Sequence, residues 1–172
     1  ISTLFGWARA NPNPALTPWL VFPIFFQTLL STMWEEFGWR AYAFPIHRQH
    51  QSFLTAAVLQ SLITAVWHLP LWFTPNYPMA VIPFGWWVLE HTAAALVLCY
   101  LFERSRYSFP IAAIFHAARN TASTLVFLYF SGIPFNGWLV SMALILGAAV
   151  WIALVPHRTL RQYEKNWCVK SD

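Results

Sequence analysis

Polar residues recur every four positions inside three otherwise apolar stretches of this chain. Thr28, Thr32, Glu36 and Arg40 form one row, with Gln27, Ser31 and Glu35 beside it. Gln60, Thr64 and His68 form a second; His116 and Asn120, followed by Ser123 and Thr124, form a third. Residues four apart share one face of an α-helix. The pattern therefore predicts three helices that are apolar around most of their circumference and polar along one stripe. About five segments are long enough to cross a hydrocarbon core of ~30 Å, which takes about 20 residues. They run from Trp19 to Phe44, Phe53 to Phe73, Met79 to Phe102, Phe109 to Phe130 and Gly137 to Val155. Pro45, Pro78, Pro110 and Pro156 fall near span ends, where proline is tolerated. Pro23, Pro70 and Pro83 fall inside and are expected to kink their helices.

The connections alternate in charge. "IHRQHQS" carries Arg48, "ERSRYS" carries Arg104 and Arg106, and the tail carries Arg158, Arg161, Lys165 and Lys170. "TPNYP" and "SGIPFN" carry no basic residue. Basic loops stay on the cytoplasmic side, so loops one and three and the tail are expected there. Polar stripes within a membrane are costly and face one another rather than lipid. They predict an interior cavity between spans one, two and four, opening to the cytoplasm. At 1.5 Å per residue, counting from Pro45 or Phe109, Glu35 lies ~15 Å deep, His116 ~10 Å and Asn120 ~16 Å. His68, ~24 Å from Ser52 by the same rise, does not match them.

Composition sharpens this to an all-α polytopic membrane helix bundle. Hydrophobic residues make up 58% of the 172 residues and charged residues 9%, against about 25% charged in a soluble domain. The chain reads as one domain, 1–172, with 33–121 as its motif-bearing core and 156–172 as a cytoplasmic tail. With Ile1 as its first residue, the chain is expected to be a fragment of a longer protein or a processed one, and Ile1 to Pro14 does not read as a signal peptide. The net charge of +4 follows from membrane topology and does not call for nucleic acid; the expected partners are the lipid bilayer and a membrane-associated substrate. Cys99 and Cys168 are too few and too far apart for a disulfide framework or a thiolate metal site.

The stripes also carry chemistry. A carboxylate in a low-dielectric cavity holds protons more tightly and can act as a general base near neutral pH. Arg40, one turn from Glu36, is placed to pair with it, which leaves Glu35 to take a proton from water. His68 can share or relay that proton. His116 and Asn120 offer donors to an oxyanion. Glu35, His68 and His116 are also a conceivable zinc set, though H-E-x-x-H is absent; "HRQH", His47 to His50, reads as an interfacial loop. Glu90 and His91 point about 100° apart on one helix and cannot both face one partner. Arg119 points away from the His116 and Asn120 face and is available to pair with Glu90 or Glu103. Trp19, Trp72, Tyr77 and Trp138 read as interface belts, not as a binding site.

"EEFGWR" fits E-E-x-x-x-R and "HAARN" fits H-x-x-x-N, with "TAVWH" between them where F-x-x-x-H is usual. From Met33 to Thr121 the chain thus resembles the CAAX-endopeptidase and bacteriocin-processing (CPBP) family of intramembrane proteases. The resemblance implies a glutamate-dependent, metal-free protease, with zinc as the lesser alternative. Glu35 would activate water with His68, His116 and Asn120 would form the oxyanion site, and Glu36 and Arg40 would support them. It implies a membrane-associated or prenylated substrate and a bacterial plasma membrane. Thr64, in place of phenylalanine, changes the surroundings of His68. The rival readings are a non-catalytic scaffold of the same fold and a proton-coupled transporter with Glu35 or Glu90 as carrier.

Overall fold

The computed structural model describes residues 9–10, 17–75, 77, 80, 82–131 and 136–154. The expectations about Ile1 to Pro14, Pro78, Cys168 and the basic tail lie outside these residues, as does the side chain of Trp138. After a 3-10 turn at Pro18–Leu20, helix α1 runs over Val21–Glu36. It passes without a break into a π-helical stretch, Phe37–Ala43, and then into α2, Phe44–His50. Helix α3 covers Phe53–His68 and is prolonged by a 3-10 turn, Leu69–Phe73. Helices α4 (Phe84–Arg104), α5 (Phe109–Tyr129) and α6 (Asn136–Leu154) follow. Arg9–Ala10 and Phe130–Ser131 make a two-residue antiparallel bridge.

Each expected span is present as a helix, but the prolines act differently from expectation. Pro45 does not end the first span. The widened π-helical turn just before it lets the rod continue to His50, where a proline ring would otherwise press on the carbonyl four residues back. Counted to the helix end at His50, Glu35 lies ~22 Å away, close to the ~24 Å of His68 from Ser52 but further than the ~10 Å and ~16 Å of His116 and Asn120 from Phe109. Pro83 is the residue before α4, not a kink inside it. Pro23 sits in the first turn of α1, where an N–H would lack an intrahelical partner anyway.

The local signals account for the turns. The Ser52 hydroxyl accepts the Thr55 N–H at 3.2 Å and caps α3. The α4–α5 turn uses Arg106 and Tyr107 in the left-handed region, φ 59° and 61°, unusual for residues with a Cβ. Their N–H groups close back on the Glu103 and Phe102 carbonyls at 3.1 and 2.8 Å. The Tyr107 ring also stands edge-on to Phe102 at 5.3 Å.

Helix α4 is central. It packs against α3, α5 and α6, while α1 lies mainly along α5. The contacts are made by small side chains: Ala56 and Ala57 on α3, Ala93, Ala94 and Ala95 on α4, and Ala112, Ala113 and Ala117 on α5 are all buried. Small residues let helix backbones approach closely where no water drives association.

The polarity of the bundle is inverted relative to a water-soluble one. Glu36, Arg40, Arg48, Gln60, Thr64 and Glu90 are buried, whereas Phe22, Phe26, Leu30, Trp34 and Phe37 form an exposed stripe on the first rod. Glu36 is 0% exposed and Trp34, two positions before it, is 73% exposed. Only a lipid-facing helix gains from that arrangement, and the fold is a polytopic membrane helix bundle. Among the described residues Phe53–Phe73 and Phe84–Arg104 are long and apolar enough on their own to cross a membrane.

Candidate active site

The bundle has a filled end and a hollow end. At the filled end, beside the α2–α3 and α4–α5 turns, the rings of Phe44, Phe53 and Phe102 meet edge to face. Arg48 bridges there from α2 to Glu103 on α4. At the other end lies a cavity of about 440 Å³. His68 lines it from the end of α3, Trp87 and His91 from α4, and His116, Arg119 and Asn120 from α5. Tyr77, in the α3–α4 loop, closes one side, and Ser123, Thr124 and Leu128 continue the α5 wall.

Each histidine has one ring nitrogen committed. The Nδ1 of His68 is 2.7 Å from the Thr64 carbonyl oxygen. A carbonyl only accepts, so Nδ1 carries the proton and Nε2 is left as the basic atom. The Nδ1 of His116 lies 2.7 Å from Glu36 Oε1. That same oxygen accepts from Arg40 Nη1 at 3.0 Å. Glu36 therefore anchors His116 on α5 and Arg40 within its own rod, and the Nε2 of His116 remains for the cavity. His91 Nε2 is 2.7 Å from the Thr64 hydroxyl. That hydroxyl already donates to the carbonyls of Gln60 and Ser61, so His91 is the donor. The Trp87 ring stacks on His91 at 4.6 Å and 14°, and stands 5.3 Å from His68.

The site residues read from the sequence fall into three groups, of which only the first lines the cavity. His68, His116 and Asn120 line one cavity. Glu36 and Arg40 are buried behind it as the ion pair their spacing suggested. Glu35 is half-buried and has no hydrogen bond or ion pair among the described residues. It is near enough to Tyr77 for its charge to act there: burial first, and then the Glu35 charge, push the Tyr77 phenol above its usual pKa of 10.0. A neutral phenol is a donor at the cavity edge. Among the described residues no group of three or more His, Cys, Asp or Glu is arranged to hold a metal ion.

Several expectations need correction. The cavity is walled by spans two, three and four rather than one, two and four; span one reaches it through Glu36. As their spacing required, Glu90 and His91 have no single partner. They have two, on different helices: His91 turns to Thr64 on α3, and Glu90 binds the Arg119 guanidinium on α5 through both oxygens. Glu90 is thus held as an ion pair. The cavity also does not open on the side of the basic loops. It lies at the Tyr77 end, away from Arg48, Arg104 and Arg106, because α3 carries His68 to the end opposite its start at Phe53. Finally, Trp72 and Tyr77 are not interface belts. Trp72 packs on Trp87 at 4.7 Å and donates to the Ile82 carbonyl at 3.0 Å. Arg119 pairs with Glu90, one of its two expected partners, but it does not point away from His116 and Asn120: three and one positions from them on α5, it lines the same cavity.

A model of the Type II CAAX prenyl endopeptidase Rce1-like family matches residues 17–122. That stretch begins just before α1 and ends within α5, so it takes in every helix that lines the cavity. A CAAX prenyl protease 2 from Methanococcus maripaludis is 26% identical over 120 residues, covering 60% of this chain and 41% of that protein. The chain thus spans about two-fifths of the length of that relative.

Proposed function

The chain belongs to the Type II CAAX prenyl endopeptidase Rce1-like family, and on that premise we propose that it hydrolyses a peptide bond of a membrane-associated or prenylated protein, using water activated by Glu35. The observation that carries the reading is the shared cavity of His68, His116 and Asn120, reached from inside an apolar shell. Glu35 takes a proton from water, with the free Nε2 of His68 sharing it. The resulting hydroxide adds to the scissile carbonyl carbon. The oxyanion accepts hydrogen bonds from the Asn120 amide and from Nε2–H of His116, which requires the doubly protonated ring whose Nδ1–H donates to Glu36, and the abstracted proton passes to the leaving amine. Full burial of Glu36, and the sharing of its Oε1 between Arg40 and His116, support an anchoring role for it rather than contact with water.

The test is cleavage of an S-farnesylated peptide by the full-length protein in lipid nanodiscs, followed by mass spectrometry. Glu35→Gln lowers the rate by about 10²–10⁴-fold, the usual weight of a general base, and leaves the melting temperature unchanged. Wild-type rates in a folded Glu35→Gln protein would sink the glutamate mechanism. A chelator arm separates the alternatives: cutting that survives chelation supports water activation by the carboxylate, and loss restored by zinc transfers that role to metal-bound water.

A further inference from the structure

We infer that Arg119 is a specificity-determining residue that holds a carboxylate of the substrate beside the hydrolytic site; this rests on the protease reading above. Among the described residues no acidic side chain lines the cavity, whereas three histidines, Arg119, Asn120, Tyr77 and two hydroxyl residues do. The lining is rich in hydrogen-bond donors and suits an anion. Glu90 lies behind Arg119: its side chain is 6% exposed against 25% for the arginine. The guanidinium therefore stands between Glu90 and the cavity.

Its geometry leaves donors to spare. Both hydrogen bonds to Glu90 come from the single nitrogen Nη2. The N–H groups of Nη1 and Nε have no partner among the described residues, and a guanidinium edge of that kind matches a carboxylate. Glu90 fixes the arginine so that little side-chain freedom is lost on binding. Along α5, Arg119 and Ser123 form a row next to His116, Asn120 and Thr124. The Cβ atoms of His116 and Arg119, three residues apart, are about 5–6 Å from each other. A carboxylate on Arg119 would thus anchor a peptide close to the carbonyl under attack. The chemistry fits a chain's terminal carboxylate or an acidic side chain.

The test uses a fluorescein-labelled S-farnesyl peptide ending in Cys-Val-Ile-Ala. It is prepared as the free acid, as the C-terminal amide, and as the amide with Glu replacing the final Ala. Binding is measured by anisotropy in nanodiscs on a Glu35→Gln background, so that turnover does not consume the probe. The acid should bind about tenfold or more tightly than the amide, the scale of a hydrogen bond to a charged group. Glu90→Gln should widen that ratio by leaving the guanidinium uncompensated. The double variant Glu90→Gln/Arg119→Gln, which leaves no buried charge unpaired, should abolish it. Recovery of binding by the Glu-containing amide identifies a side-chain carboxylate as sufficient; failure to recover identifies the terminal one. The inference is overturned if the acid binds no tighter than the amide, or if the folded double variant still discriminates. Cleavage with Glu35 restored tells the two readings apart. Equal kcat/KM for acid and amide removes the Arg119 inference alone, whereas discrimination without any cutting removes the protease reading alone.

Discussion

Arg48 and Arg119 each cross between helices to a buried glutamate, and each stands at one end of the same bundle. Their surroundings are opposite. Arg48 donates through Nε to Glu103 and through Nη1 to the Gln51 carbonyl, with its guanidinium over the Phe53 ring at 5.9 Å. It is surrounded by the aromatic cluster of Phe44, Phe53 and Phe102. Arg119 spends one nitrogen on Glu90 and turns the rest of its head to a cavity. One pair is a clasp that ties α2 to α4; the other supports a wall. An arginine–glutamate bridge inside a membrane protein is therefore no guide to role until the unused donors have been counted.

The comparison breaks most forcefully at the clasp. Arg48→Met leaves Glu103 buried without its partner, and removing one member of a buried pair costs about 3–5 kcal/mol. Thermal unfolding in detergent should show that loss, while peptide cleavage per folded molecule stays at the wild-type rate. A change in the cleavage rate without loss of stability would mean that the two ends are not separate in function. Thr64→Val is a smaller perturbation at the hollow end. It strands the His91 Nε2–H, an unsatisfied buried donor worth about 1–3 kcal/mol. The His68 contact should survive, because its acceptor is the Thr64 backbone. Hydrogen–deuterium exchange of α4 should rise around His91, and unchanged exchange and stability would remove the Thr64–His91 bond from the account. The mildest effect is a pH slope. Because Tyr77 holds its proton more tightly in the folded state, stability falls as pH rises above about 10, the usual tyrosine pKa. Tyr77→Phe flattens that decline, and Glu35→Gln reduces it only partly, since burial is the larger cause. A decline equally steep in Tyr77→Phe would assign it to another group.

The parts of this architecture that were readable in one dimension share a physical basis. Polar residues four apart in a lipid-crossing helix have few places to go, so Thr32, Glu36 and Arg40, and Gln60 and Thr64, are buried as their spacing required. The Glu36–Arg40 pair is local to one rod and follows from helix geometry alone. Which helix sits in the middle is a different kind of fact. It depends on non-local packing, and its trace in the chain is only the run Ala93 to Ala95 facing other alanines. For the same reason the partner of His91 lay out of reach, since nothing in its spacing names Thr64, whereas Glu90 and Arg119, lone charges of opposite sign, could be matched from the sequence. Pro45 looked like a helix end, and a π-helical stretch upstream of a proline has no marker in the sequence.

The hollow lies wholly at the Tyr77 end, with phenylalanine rings plugging the other. Such a molecule has a front door and a solid back. If the proposed hydrolysis holds, a polypeptide threaded through the bilayer is cut where its vulnerable bond comes level with that door, so two proteins with the same cleavable residues but opposite orientations in the membrane would meet different fates. Selection of this sort acts on how a substrate was inserted, before any side chain of it is read.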